Sequence, residues 1–242
     1  MLTKNNNFNY TATGKKEISV AKAFIANVFT WMFLALVITA ATAYFFSSDP
    51  ALIGSLINPQ TGGMSILGWL VMLAPLGFVL IMSFGFNKLS AGTLSLLFIA
   101  FAILLGMSLS FILLLYTQSS IALTFVVTAS MFGIMAVTGY TTKIDLTKFG
   151  SIMMMGLIGI IIASILNFFM RSSTMEYIIS FIGVLVFTGL TAYDVQKLKR
   201  IGSGVEFGSE TTRKLTIMGA LTLYLDFINL FLFLLRFLGN RK

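Results

Sequence analysis

The chain is divided into seven apolar stretches, each close to the length that crosses a bilayer, with only short polar turns between them. They cover residues 23–46, 66–86, 93–116, 121–142, 151–170, 177–193 and 215–238. A hydrocarbon layer about 30 Å thick is spanned by about 20 residues of α-helix. Inside that layer no water is present to satisfy backbone N–H and C=O groups, so each stretch has to close its own hydrogen bonds as a helix. The sequence therefore predicts an all-α integral membrane protein, a bundle of seven transmembrane helices forming one domain over residues 23–242. Composition agrees: 10% of residues are charged, against the roughly 25% that a water-facing surface needs. Residues 1–22 are polar, with asparagines at 5–7 and several lysines, and are expected to form a flexible cytoplasmic tail. The first apolar stretch is too long, and begins too late, for a cleavable signal peptide. Pro75 lies within the second stretch and is expected to kink it.

The chain has no cysteine and no histidine. This removes zinc sites of the usual kind, cysteine and Ser-His nucleophiles, and histidine pH switches, because each needs a side chain that is absent. No nucleotide-binding glycine loop is present, and the expectation is a protein that is not an enzyme and carries no cofactor. The net charge of +8 is spread over short turns, without the basic, aromatic-interleaved run that nucleic acid binding requires. In a membrane protein such an excess encodes orientation. With the N-terminus inside, most lysines and arginines fall on the cytoplasmic side, in the tail, at Lys88, at Lys143 and Lys148, and between Lys197 and Lys214. The expected location is the plasma (inner) membrane. Arg241 and Lys242 run against this pattern, and a re-entrant last segment would relieve the conflict.

Two acidic residues lie in or at the edge of apolar stretches, Asp194 near the end of the sixth and Asp226 in the middle of the seventh. An aspartate at a helix centre costs about 2.5–3.5 kcal/mol to insert, so such residues are retained for a proton, an ion or a partner. Helical spacing places Gly219, Thr222, Asp226 and Asn229 on one face, with Leu223, Phe227, Leu230 and Leu234 opposite. Thr191 shares a face with Asp194, and Gly156, Gly159, Ala163 and Asn167 form a small, polar stripe on the fifth stretch. Measured from the basic flanks, Asp194 lies about 5 Å deep and Asp226 about 18 Å deep. The two meet only if the sixth helix continues past Lys197 and Arg200, or if water enters from that side.

Three segments, MFGIMAVTGYTTKIDLTKFGS (131–151), GVLVFTGLTAYDVQKLKR (183–200) and ALTLYLDFINLFLFLLRFLG (220–239), closely resemble the Bax inhibitor family, the transmembrane Bax inhibitor motif proteins. The resemblance implies a seven-helix fold whose last helix is central and wrapped by the other six. It also implies a pH-sensitive calcium leak in which aspartates on the last two helices form the sensor. The matching positions are Asp194 in the YD of the sixth helix and Asp226 in the YLDFIN of the seventh. Relatives in which that pair is defined carry an arginine on the second helix that latches one aspartate. No arginine occurs over 66–86, and Lys88 is the nearest cation.

Two carboxylates in one poorly hydrated site tend to share a proton and titrate as a pair. Calcium prefers six to eight oxygen ligands, and Asp194 and Asp226 with Asn229, Thr222 or Tyr193 and water would give a loose shell suited to a leak, with Thr191 and Asn167 as further supporting polar residues and Lys88 as the possible latch cation. Two rival readings come from other classes. One is a regulatory protein that binds membrane-protein partners through its helix faces and transports nothing. The other is an intramembrane aspartyl protease, disfavoured because the residues before Asp226 are bulky where that class needs glycine.

Overall fold

The computed structural model describes residues 7–206 and 208–242. Its helices are α1 (Asn7–Ser48), α2 (Pro50–Ser55), α3 (Ile66–Gly85), α4 (Ala91–Leu115), α5 (Gln118–Thr141), α6 (Thr147–Met170), α7 (Ser173–Ser203) and α8 (Glu210–Leu238). Seven of them, all except the short α2, are long and apolar enough to cross a membrane, and no strand occurs among the described residues. Residues 1–6 of the expected tail lie outside the described residues, and the backbone from Asn7 onward is continuous helix with the first span. α3 runs through Pro75 without interruption.

Starts and stops follow local chemistry. Ser65, Ser90, Thr117, Ser172 and Ser209 each accept a backbone N–H of the following first turn, satisfying donors that have no partner within the helix. α6 ends where Arg171 takes a left-handed backbone with φ of 51°. At the opposite end, Asp145 Oδ1 accepts both the backbone N–H and the hydroxyl of Thr147 and starts α6.

α8 lies at the centre, packed against α1, α4, α5 and α7, and α7 is nearly as enclosed, with α1, α5, α6 and α8 around it. α3 packs mainly on α4, and α6 mainly on α7. The last helix is thus enclosed chiefly by four of the six others. The faces of α8 also differ from a polar-in, apolar-out pattern, since Leu223, Phe227, Leu230 and Leu234 are buried together with Gly219 and Asp226. Close helix crossings are built on missing side chains. A Cβ at Gly139 on α5 would collide with the backbone carbonyl of Ala192 on α7, and one at Gly106 on α4 would lie 2.6 Å from the Thr39 carbonyl oxygen of α1.

Chain traversal puts the α3–α4, α5–α6 and α7–α8 turns on one face of the bundle, here the first face. The α2–α3 loop, the α4–α5 and α6–α7 turns and the C-terminus share the second. Glu210 Oε1 accepts the Ala91 N–H at 2.6 Å, and Lys214 donates to the Phe86 carbonyl at 3.3 Å, tying the first-face turns together. On the second face Thr117 N–H donates to the Asn240 carbonyl, Lys242 N–H donates to the Leu115 carbonyl, and Arg241 pairs with Glu176 at 3.2 Å. The last helix therefore crosses the whole bundle and is not re-entrant.

Candidate functional site: an aspartate pair between the two central helices

α7 and α8 run antiparallel, and their contacts step along in register. Leu198 lies against Gly219 near the first face, Asp194 against Asp226 at mid-height, and Phe233 over Gly183 toward the second face. The two carboxyls meet across the seam closely enough for each to act directly on the other. Asp194 and Asp226 are 9% and 5% exposed, and neither belongs to an ion pair among the described residues. Asp226 Oδ2 is the one buried side-chain oxygen or nitrogen among the described residues with no hydrogen-bond partner. Such an atom in a packed interior marks a place for a proton, a water or a cation.

The meeting depends on α7. The depth ruler assumed that Lys197 marks the membrane edge, but α7 continues to Ser203, two further helical turns. Lys197 is exposed and acts electrostatically on Asp194 from the first-face side. Two glycines bring neighbours close beside Asp194, Gly139 against Ala192 and Gly150 of α6 against the ring of Tyr193, and Gly219 does so against Leu198 nearer the first face.

The other candidate residues are placed unevenly. Thr191 is buried and donates to the Phe187 carbonyl at 2.8 Å, Thr222 donates to Met218, and Asn229 donates its amide to Leu225 at 2.8 Å. The two threonine hydroxyl hydrogens and one of the two Asn229 amide hydrogens are thus committed to their own helices, while the side-chain oxygens retain lone pairs. Tyr193 turns its ring toward α6, away from the α7–α8 seam. Asn167 is at the second-face end of α6, where its Oδ1 accepts the Ser172 N–H, and takes no part in the pair. Gly159 of the same stripe is exposed, with open space where a side chain would be. Lys88 is exposed and makes no ion pair with either aspartate among the described residues.

The sequence reading missed the residues of α7 that fasten the α5–α6 turn on the first face. Gln196, two residues beyond Asp194, accepts the Leu146 N–H at 2.8 Å and donates to the Ile144 carbonyl at 2.7 Å, clasping the α5–α6 turn against α7. Lys199 donates to the Tyr140 carbonyl at 2.7 Å and lies over the Tyr140 ring. Arg200 pairs with Asp145 at 3.1 Å, so Asp145 is held from α7 and not by its loop neighbours Lys143 and Lys148. The hydrogen bond from the Thr147 hydroxyl, followed by its backbone N–H and Arg200, keeps the Asp145 carboxyl below the usual carboxylate range. Also missed was Tyr224. It is fully buried, its hydroxyl is 2.6 Å from that of Thr39, and its ring is edge-on to Phe98 and Phe101, joining α1, α4 and α8 two residues from Asp226. A tyrosine two residues before an intramembrane aspartate was a signal that helical spacing alone did not decode.

Two carboxylates are the whole acidic complement here. No group of three or more acidic or histidine side chains able to hold a metal ion occurs among the described residues. A cation at the pair would rely on two carboxylates, hydroxyl and carbonyl oxygens and water, which matches weak, transient contact.

Fold and site together define a polytopic α-helical membrane protein with a carboxylate pair in its central seam. The sequence profile of the family Bax1-I, "Inhibitor of apoptosis-promoting Bax1", matches residues 21–242, and the chain belongs to this family. It is 46% identical over 222 residues to "Inner membrane protein YbhL" of Escherichia coli K12, covering 91% of this chain and 93% of that one. It is 45% identical over 221 residues to protein RP147 of Rickettsia prowazekii, covering 91% of each chain. A Borreliella burgdorferi protein is 43% identical over 228 residues, covering 94% of this chain and 96% of the other.

Proposed function

We propose that this protein is a pH-sensitive calcium leak of the inner membrane, with Asp194 and Asp226 acting as one proton-sharing sensor and the N-terminus in the cytoplasm. The observation that carries the reading is the meeting of the two carboxyls across the α7–α8 seam, with Asp226 Oδ2 left without a partner. With one proton between them the carboxyls attract and hold the helices together. Loss of that proton leaves two like charges in a poorly hydrated seam, a state that costs free energy until the helices part or a cation enters. Calcium and protons then compete for the same oxygens, so a rise in pH opens the path and acid closes it. No covalent step is involved. Lys88 has no contact with the pair, so closure rests on the shared proton and on the Gln196, Lys199 and Arg200 clasp.

The orientation is supported by the lysines and arginines of the first-face turns, and the inner-membrane location by the description of the Escherichia coli relative. Single-cysteine labelling tests it on a chain with no native thiol. A cysteine at Ser203 is expected to resist an impermeant reagent added outside intact cells, and one at Ser119 to react; the reverse pattern overturns the orientation. For activity, proteoliposomes containing only this chain are expected to pass calcium increasingly as pH rises, and Asp226→Asn to shift the pH midpoint of that flux. Flux equal to empty liposomes at every pH overturns the leak. Cleavage of a labelled transmembrane peptide, lost in Asp226→Asn, would support the protease instead.

A further inference from the structure

The second face holds a different feature, unrelated to the aspartate pair. α4 and α6 make no extensive contact with each other, and between them a crevice of about 420 Å³ opens, with α7 and α8 at its back. Its floor is apolar, formed by Ile112, Leu232, Leu235 and Phe168, and Phe168 is 75% exposed, so the crevice is open sideways to the bilayer. Its mouth carries Arg236, Arg241 and Glu176. Glu176 already accepts from Arg241 at 3.2 Å. Arg236 lies inside the last turn of α8 with its guanidinium over the Phe233 ring, and it has neither a hydrogen bond nor an ion pair among the described residues.

An arginine at the edge of the hydrocarbon layer needs an anionic partner or water. The one carboxylate at this mouth is already engaged, leaving one net positive charge above an apolar slot. The amide nitrogen of Asn167 adds a donor on the same rim, since its Oδ1 is committed to Ser172. Guanidinium and amide donors above, with a laterally open hydrocarbon-lined slot below, match a phosphate joined to an acyl chain. We propose that this crevice binds one anionic phospholipid of the second-face leaflet, its phosphate on Arg236 and one acyl chain lying between α4 and α6.

The test uses the full chain, purified and stripped of lipid in detergent, titrated with phosphatidylglycerol, phosphatidylcholine or glycerol 3-phosphate and read by native mass spectrometry. Wild type is expected to retain one phosphatidylglycerol about tenfold more tightly than phosphatidylcholine, whose phosphate is the same but whose quaternary ammonium brings a like charge beside Arg236 and Arg241. Arg236→Ala removes an exposed side chain and is expected to abolish the preference. Ser164→Trp keeps both arginines, fills the slot and is expected to lose the lipid, whereas Lys88→Ala leaves retention unchanged. Equal retention of the two lipids by wild type, or undiminished binding in either crevice variant, overturns the proposal. Saturation by glycerol 3-phosphate at the concentrations that suffice for phosphatidylglycerol would mean that the site takes a soluble phosphate and not a lipid.

Discussion

α6 and α8 make an instructive pair. α6 is the more apolar, with mean hydropathy 2.4 in its best window against 1.9 for α8, yet 6% of that window is buried in α6 and 67% in α8. In a soluble protein the order would be reversed. In hydrocarbon, lipid tails are as apolar as leucine, so apolarity gives no reason to hide a helix. Close packing, hydrogen bonds and small residues decide what goes inside. α6 turns Ile158, Ile161, Ile162, Ile165 and Phe169 outward, whereas α8 carries Gly219, Tyr224 and Asp226 into the centre.

The sharpest way to break this comparison is to place the same side chain on both sides of it. Gly139→Leu drives a side chain into the Ala192 carbonyl at the α5–α7 crossing, next to Asp194. It is expected to cost at least about 1–3 kcal/mol and to lower the thermal midpoint in detergent markedly. Gly159→Leu on the open face of α6 is expected to leave the midpoint unchanged. Similar effects at the two sites would mean that the outer helix is packed in the membrane in a way this architecture does not allow.

The same contrast explains what could be read from the sequence. The seven spans were legible because their length and lack of charge have no other outcome, and the polar face of the last helix pointed to Asp226. The extent of α7 was not legible. Gln196, Lys197, Lys199 and Arg200 look like a loop by composition, but the side chains of Gln196, Lys199 and Arg200 fasten a neighbouring turn and the backbone stays helical to Ser203. That extension puts Asp194 beside Asp226, so a ruler drawn from the charge cluster misjudged the depth. Asn167 and Lys88 were plausible by type, but Asn167 lies at the other end of α6 and Lys88 makes no ion pair with the aspartates, and such placement depends on helix order in the bundle and leaves no local trace.

A smaller effect is expected from Tyr224→Phe, which removes one hydroxyl from the α1–α8 contact while Thr39 keeps its bond to the Ala102 carbonyl at 2.9 Å. A cost of about 1 kcal/mol, seen as a modest drop in thermal midpoint, would sharpen the picture of a core held by a few buried polar contacts. No change would assign the anchoring to the Phe98 and Phe101 rings alone.

The smallest effect concerns Asp145, at the exposed rim of the α5–α6 turn. Its folded carboxyl titrates below its ordinary value, so its contribution is present above that value and lost as pH falls through the lowered one. Asp145→Asn is therefore expected to lower the thermal midpoint slightly near pH 7 and to converge with wild type in acid below about pH 4. A gap that widened in acid would reverse the sign and remove Asp145 from the clasp.

The central claim is that Asp194 and Asp226 act as one unit, and a double-mutant cycle on the pH midpoint of calcium flux in proteoliposomes addresses it most directly. Directly interacting groups give non-additive changes, so the Asp194→Asn, Asp226→Asn double variant is expected to match the stronger single variant. Independent shifts that add in the double variant would contradict the claim and leave the pair without a role as a sensor.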